Sequence, residues 1–317
     1  MKKMLALLLA AMMVVPLAAC GNDAPAEEPK EDAAPSESTE APSEAAPAEG
    51  EKVKVGLAVS TLNNPFFVTL AEGAQAKAEE MNVELNTVDA GDDAAKQAND
   101  IDDLISKGIK VLIVNPVDSD AIAPAVTAAK EAGIKVIAVD RAVNGETVDC
   151  QIASDNVAGA KMATEFLLSL VGEDAEVAEL QGVPGASAAV DRGAGFHEVA
   201  DAKLKVVASQ TANFNRAEGL TVMENILQAN PEVKGVFAHN DEMALGALEA
   251  IGDKEIVVVG FDATDDAKAA VEAGTLAATI AQQPDLMGAT AVEVAVKLAA
   301  GEAVEANMPV EVALISK

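Results

Sequence analysis

Residues 51–317 predict an α/β fold with parallel sheets, divided between two lobes. Three observations carry this. Short apolar runs alternate with segments of helical spacing along the whole stretch. The runs are β-branched and nearly continuous, as in parallel strands buried on both faces. The alternation extends over about 265 residues, more than one core usually serves.

In chain order, strands are expected at Val53–Ser60, Val83–Asp89, Val111–Asn115, Lys135–Asp140, Glu176–Gln181, Lys205–Gln210, Gly235–His239, Ile256–Gly260 and Ala277–Ala281. The first helix is expected over Pro65–Met81, because Asn64 suits a cap and Pro65 suits the first helical position. Others fit Ser187–Ala202, Arg216–Ala229 and Asp241–Ile251. Pro124 falls inside Ser119–Ala132, so that helix should be kinked or start late. Cys150 sits in the strand-like Val148–Ile152 and reads as a packed, inert thiol.

The first 50 residues differ in kind. Lys2 and Lys3 precede an apolar run, Met4–Ala19, of 16 residues. A spanning helix needs about 20, so 1–20 reads as a signal peptide. It ends in Leu17-Ala18-Ala19-Cys20-Gly21, which resembles the bacterial lipobox, and the resemblance implies lipid on Cys20 after cleavage. Residues 21–50 are almost wholly Ala, Pro, Glu, Ser and Asp and cannot bury enough apolar surface to order themselves. They read as a disordered acidic tether, reaching roughly 90 Å at about 3.1 Å per residue. Anchor and tether together place the folded part outside the cell, held to the outer face of the cytoplasmic membrane, and favour a cell without an outer membrane.

Charge excludes one class of partner. Residues 1–20 hold two Lys and no acid, and residues 21–50 hold nine acids and one Lys, so 51–317 keep a net −24 of the total −30. Such a surface argues against nucleic acid. With Cys20 lipidated, Cys150 has no disulfide partner. His197 and His239 lack metal-ligand spacing, so no metal is expected, and each suits a surface or packing role.

Ligands of open α/β sheets bind beyond the carboxyl ends of the strands. Those positions hold Asn64 with Phe66 and Phe67, then Asn115, Asp140-Arg141, Arg192, Phe214, Asn240, Phe261-Asp262 and Gln282. The chain has no Trp, no Tyr and seven Phe, and four of the Phe fall at these positions rather than in the apolar runs. Phe166, Phe196 and Phe237 fit the core instead. Flat aromatic faces cover the C–H faces of a sugar ring, while carboxylates, guanidinium forks and amides meet its hydroxyls. A glycosidase pairing of Asp140 with Asp262 is disfavoured, because Arg and amide neighbours suit two ionised acceptors rather than one acid of raised pKa. No nucleophile elbow or phosphate-cradling motif is present, so no enzyme and no cofactor are expected.

Ala58–Phe67, Asn115–Asp120, Val139–Arg141, Ala153–Asn156, Glu179–Gly182, Asn240–Ala247 and Ala277–Gln282 resemble the bacterial periplasmic ribose-binding proteins, over essentially all of 51–317. The resemblance implies two Rossmann-like lobes, 51–154 plus 283–311 and 155–282 plus 312–317, joined by a three-crossing hinge: the type I periplasmic binding protein fold. It implies a sugar ring held between Phe66 and Phe67 on one side and Phe214 on the other. Asn64, Asp140 and Arg141 would meet hydroxyls from one lobe, and Arg192, Asn240, Asp262 and Gln282 from the other, with Phe261 lining the pocket. His239 and Asn215 depart from the Gln and Asp common in these proteins, which opens ribose, allose and similar sugars as ligands. The implied function is that of a monomeric substrate-binding lipoprotein delivering D-ribose to an ABC transporter permease. Presentation of the ligand to a chemoreceptor is an alternative. A helix-turn-helix regulator of this fold would carry its DNA-binding helices where the signal peptide and tether stand.

Overall fold

A computed structural model describes residues 52–317. The expected signal peptide, the expected tether and Cys20 lie outside the described residues.

The first lobe is built on β1 (Lys54–Val59), β2 (Glu84–Asp89), β3 (Val111–Val114), β4 (Lys135–Val139) and β5 (Cys150–Ser154), joined at its edge by β11 (Asn307–Val310). The order is β11-β5-β4-β3-β1-β2, with every pair parallel. The second lobe repeats the plan with β6 (Glu176–Gln181), β7 (Lys205–Thr211), β8 (Gly235–Ala238), β9 (Val257–Asp262) and β10 (Ala278–Ala281). Its order is β12-β10-β9-β8-β6-β7, where β12 (Ala313–Ser316) alone runs antiparallel. The central strands β1, β3, β6 and β8 are buried almost throughout, which explains their continuous apolar runs.

Nine helices in the described residues cover the sheets: α1 (Pro65–Glu80), α2 (Ala94–Ser106), α3 (Ala123–Glu131), α4 (Asn156–Val171), α5 (Ser187–Lys203), α6 (Arg216–Ala229), α7 (Asp241–Ile251), α8 (Asp265–Ala273) and α9 (Pro284–Ala299). The chain passes between lobes at three places: from β5 into α4, from β10 into α9, and from β11 into β12. Helix α9 returns to pack on α1 and on β3, β4 and β5. Where α1 and α9 meet, a Cβ on Gly288 would overlap the Leu70 carbonyl oxygen, and one on Gly73 the backbone of Asp285. A Gly288→Ala variant should therefore lose about 1–3 kcal/mol of stability by overpacking. Urea unfolding should show this as a lower midpoint with an unchanged slope.

Some expectations hold and others change. Helix α3 starts late, at Ala123, which puts Pro124 in its first turn, where no backbone donor is required. Strand β9 runs on through Asp262, so Phe261 is a strand residue, fully buried among Phe196, Phe237 and Ile280. It does not line the cleft. Phe66 and Phe67 belong to the first turn of α1, within the helix expected over Pro65–Met81. Strands β11 and β12 escaped the pattern because each is only four residues long and partly exposed. Cys150 is buried on β5, and burial pushes its thiol up, away from the reactive thiolate. No helix of the described residues is long and apolar enough to cross a membrane.

Candidate functional site

Both sheets point their carboxyl ends at one cleft. In each lobe the strand order reverses there, between β1 and β3 and between β6 and β8, and such switch points open a crevice. Ten of the eleven residues expected at a site line this one pocket. Ala188, on the first turn of α5, also lines it; a small apolar side chain gave the sequence no signal there.

Two asparagines begin helices at the rim. Asn64 caps α1, its Oδ1 accepting from the Phe66 N–H at 2.9 Å, and Asn240 caps α7, its Oδ1 accepting from the Met243 N–H at 3.0 Å. The cap on α1 sets Phe66 and Phe67 into the cleft wall, edge to face with centroids 5.1 Å apart. Phe214 comes from the loop after β7, and the tip of its ring packs against Gly182, where any Cβ would overlap it.

The charged groups divide between the lobes. Asp140 and Arg141 follow β4. Asp140 Oδ2 accepts from Asn115 Nδ2 at 3.1 Å and lies 3.8 Å from Arg141 Nε. Arg141 Nη1 donates to the carbonyls of Pro116 (2.9 Å) and Val117 (3.3 Å). Its guanidinium sits 5.2 Å from the Phe67 centroid and 5.4 Å from that of Phe214, so it bridges the aromatics of both lobes. Across the cleft, Arg192 Nε donates to Asn156 Oδ1 (2.8 Å) and Nη1 to the His239 carbonyl (2.6 Å). Its guanidinium stacks 3.8 Å from the Phe261 centroid and lies 3.7 Å from Asp262 Oδ1. Phe261 thus supports the site from behind. Gln282 Nε2 donates to Asp262 Oδ1 at 2.6 Å.

Two polar atoms of this pocket stay unpaired although buried: Arg141 Nε, a donor, and Gln282 Oε1, an acceptor. Buried polar atoms are nearly always satisfied, and this complementary pair suits a ligand whose groups both donate and accept. Backbone strain gathers at the same place. Asp140 (φ 63°), Phe214 (φ 57°) and Asp262 (φ 130°) all have positive φ, which costs a non-glycine residue on the order of 1–3 kcal/mol and is typical of functional positions.

Burial pushes the Asp140 carboxyl above the usual carboxylate range, with Arg141 opposing, and pushes Asp262 well above it, with Arg192 opposing. The expectation that their neighbours would hold both carboxyls in the ordinary ionised range is therefore revised. The closed lobes exclude water, and desolvation outweighs the guanidinium groups. Both acids move the same way, whereas an acid–base pair has its two pKa values pushed apart.

Closure itself is visible. The Ser119 N–H donates to the Gly185 carbonyl (3.0 Å), the Ser187 N–H to Ser119 Oγ (3.1 Å), and the Ala142 N–H to Ser187 Oγ (2.8 Å), joining the β3–α3 and β4–β5 loops of one lobe to the β6–α5 turn of the other. Supporting residues went unread in the sequence. Gln97 of α2, almost wholly buried, donates to the Asn115 carbonyl and accepts from the Val117 N–H, both at 2.8 Å, fixing the loop that Arg141 grips. Its signal, one Gln on the apolar face of a helix, is easily taken for a surface residue.

Comparison with known proteins places the chain in a family. The family model described as periplasmic binding protein domain matches residues 55–303. The ribose import binding protein of Bacillus subtilis is 50% identical over 253 residues, 79% of this chain and 83% of that protein. That of Escherichia coli is 50% identical over 271 residues, 84% and 91% of the two chains. A solute-binding protein of Actinobacillus succinogenes with bound D-allose superposes with a TM-score of 0.78 at 30% identity, covering 84% of this chain and 98% of that one. The chain belongs to the periplasmic binding protein family.

Proposed function

We propose that this chain captures D-ribose between its two lobes and presents it to the permease of an ABC import system. The observation that carries the reading is the convergence of aromatics and charged groups from both lobes on one small pocket, with Arg141 Nε and Gln282 Oε1 left for a ligand. Ribose has hydroxyls on every side of a small ring, which matches a donor, an acceptor and two carboxylates set around three phenylalanines. Phe66 and Phe67 cover one face of the ring and Phe214 the other. Asn64, Asp140 and Arg141 bind hydroxyls from the first lobe, and Arg192, Asn240, Asp262 and Gln282 from the second. Binding draws the lobes together through the three crossings and seals the ligand from water. The identity to ribose import binding proteins supports the choice of sugar. The match to a protein holding D-allose favours that hexose as the second candidate.

A binding role without reaction is supported by the family and by the two carboxyls shifting in the same direction rather than apart. The chain acts as a monomer, tethered outside the cytoplasmic membrane by lipid on Cys20, a reading supported by Leu17–Gly21 and the acidic segment after it. The same closed form can dock on a chemoreceptor.

Calorimetric titration of the purified chain should show ribose binding with Kd in the micromolar range or below. For about ten non-hydrogen atoms this corresponds to about −8 kcal/mol, or roughly −0.8 per atom, within the ceiling for very small ligands. Heat with allose and none with ribose would overturn the choice of sugar.

A further inference from the structure

Beneath the second lobe's half of the pocket lies a buried polar chain that sugar binding does not use. Glu179, on β6, is fully buried and receives groups from three elements. His239 Nε2, just after β8, is 2.9 Å from Glu179 Oε1. His197 Nε2, on α5, is 3.3 Å from Oε2. Gln181 Nε2 donates to Oε2 at 3.0 Å, and Ser209 Oγ of β7 donates to the same oxygen. His197 is half exposed and pairs with Asp201 at 2.8 Å. The chain thus runs from solvent to the cleft floor.

His239 is the cleft end. Its Nδ1 accepts from the Gly182 N–H at 3.3 Å. An acceptor there requires the neutral ring protonated on Nε2, the proton being donated to Glu179. Gly182 is the residue on which Phe214 lies. Gly182 also begins the turn whose Gly185 carbonyl and Ser187 N–H close onto the first lobe. The His239 carbonyl holds Arg192 Nη1, and the next residue is Asn240. The imidazole therefore supports an aromatic wall and the closing turn, while the backbone carbonyl of the same residue holds an arginine.

We infer that His239, held by Glu179, is a positioning residue for the sugar site, and that a proton on its Nδ1 weakens sugar binding by displacing Gly182 and with it Phe214. This rests on the sugar-binding reading above. A protonated Nδ1 faces the Gly182 N–H donor to donor, so the contact must open. The charged groups facing the ring are Glu179, which favours the cation, and Arg192 and His197, which oppose it. Burial pushes the His239 imidazole below its ordinary value, with Glu179 opposing. Burial acts upward on Glu179, yet His239 and Ser209 hold it below the usual range. Around neutral pH the pair is a carboxylate and a neutral imidazole. Affinity is then full above the His239 pKa and falls as pH drops through it.

Linkage supplies the test. If protonation weakens binding, binding must lower the His239 pKa by the same factor. The full chain has two histidines, so ring nitrogen–proton NMR resolves them, with His197→Gln assigning the signals. At pH 7.5, His239 should be the Nε2–H tautomer. Saturating ribose should lower its pKa by about one unit, matching an affinity loss of about tenfold on protonation. Calorimetry at pH 7.5 and 5 should show a smaller acid loss in His239→Gln, whose amide keeps one donor and one acceptor. Protonation of Asp140 and Asp262 weakens binding in both proteins, so the difference between them isolates His239. An Nδ1–H tautomer, or a His239 pKa unmoved by bound ribose, overturns the inference while the sugar site stands. No ribose heat at pH 7.5 overturns the sugar reading and this inference with it.

Discussion

Replacing Arg141 with alanine should weaken ribose binding by about 2–5 kcal/mol, roughly 30- to several-thousand-fold in Kd, the range for truncating one partner of a buried charge pair. Three contributions are lost together. The unpaired Nε is the donor left for a ligand hydroxyl. The guanidinium spans Phe67 and Phe214, so its loss loosens the aromatic walls of both lobes. Asp140 keeps Asn115 but loses its facing cation, and its carboxyl shifts further up. Arg141→Lys should recover little, since an ammonium cannot hold the Pro116 carbonyl and a ligand in one plane. Calorimetry reads this directly, and binding within threefold of wild type would remove Arg141 from the site.

Arg192→Ala should be costly in two measurements at once. Besides facing the ligand, Arg192 is held by the protein at Asn156, the His239 carbonyl, the Phe261 ring and Asp262. Removing it leaves Asp262 buried with the Gln282 hydrogen bond and the acids Asp241 and Asp140 nearby, and an uncompensated buried charge costs about 3–5 kcal/mol. Asp262 then takes up a proton, so the variant should be most impaired at neutral pH and partly recover stability as pH falls toward 5. The sign follows from linkage. A carboxyl whose folded pKa is raised above its unfolded value destabilises the fold increasingly as pH rises between the two. Thermal unfolding at pH 5 and 7.5, beside ribose titration at pH 7.5, tests both parts. A variant with wild-type stability and lost affinity would mean that Arg192 serves the ligand alone.

The two arginines show what was legible in the sequence. Arg141 was readable because Asp140-Arg141 stands directly after an apolar run, and a strand's carboxyl end is where an open sheet binds. Arg192 sits five residues into α5, past the small-residue loop that follows β6; its place after a strand marked it, but a lone Arg on a helix also reads as surface, and the resemblance gave it its role. Phe261 shows the opposite error. Beside Asp262 it read as a loop aromatic, but β9 continues through both residues and the alternation of a strand turns Phe261 into the core while Asp262 faces the cleft. Gln97, Glu179 and His239 act by holding other groups, and nothing local distinguishes a buried hydrogen-bonded Gln, Glu or His from a solvated one.

The sequence by itself determined the α/β class, the order of most elements, the change of composition after residue 50, and the chemical types gathered at the strand ends. These follow from periodicity, capping and composition, each set within a few neighbouring residues. Only the tertiary structure decided which strand ends meet, that Arg141 bridges aromatics of both lobes, that burial raises both cleft carboxyls, and that a histidine supports the floor under Phe214. Those depend on contacts between residues such as Glu179 and His239, 60 positions apart, and on the exclusion of water from a closed cleft. Both arise only when the chain packs.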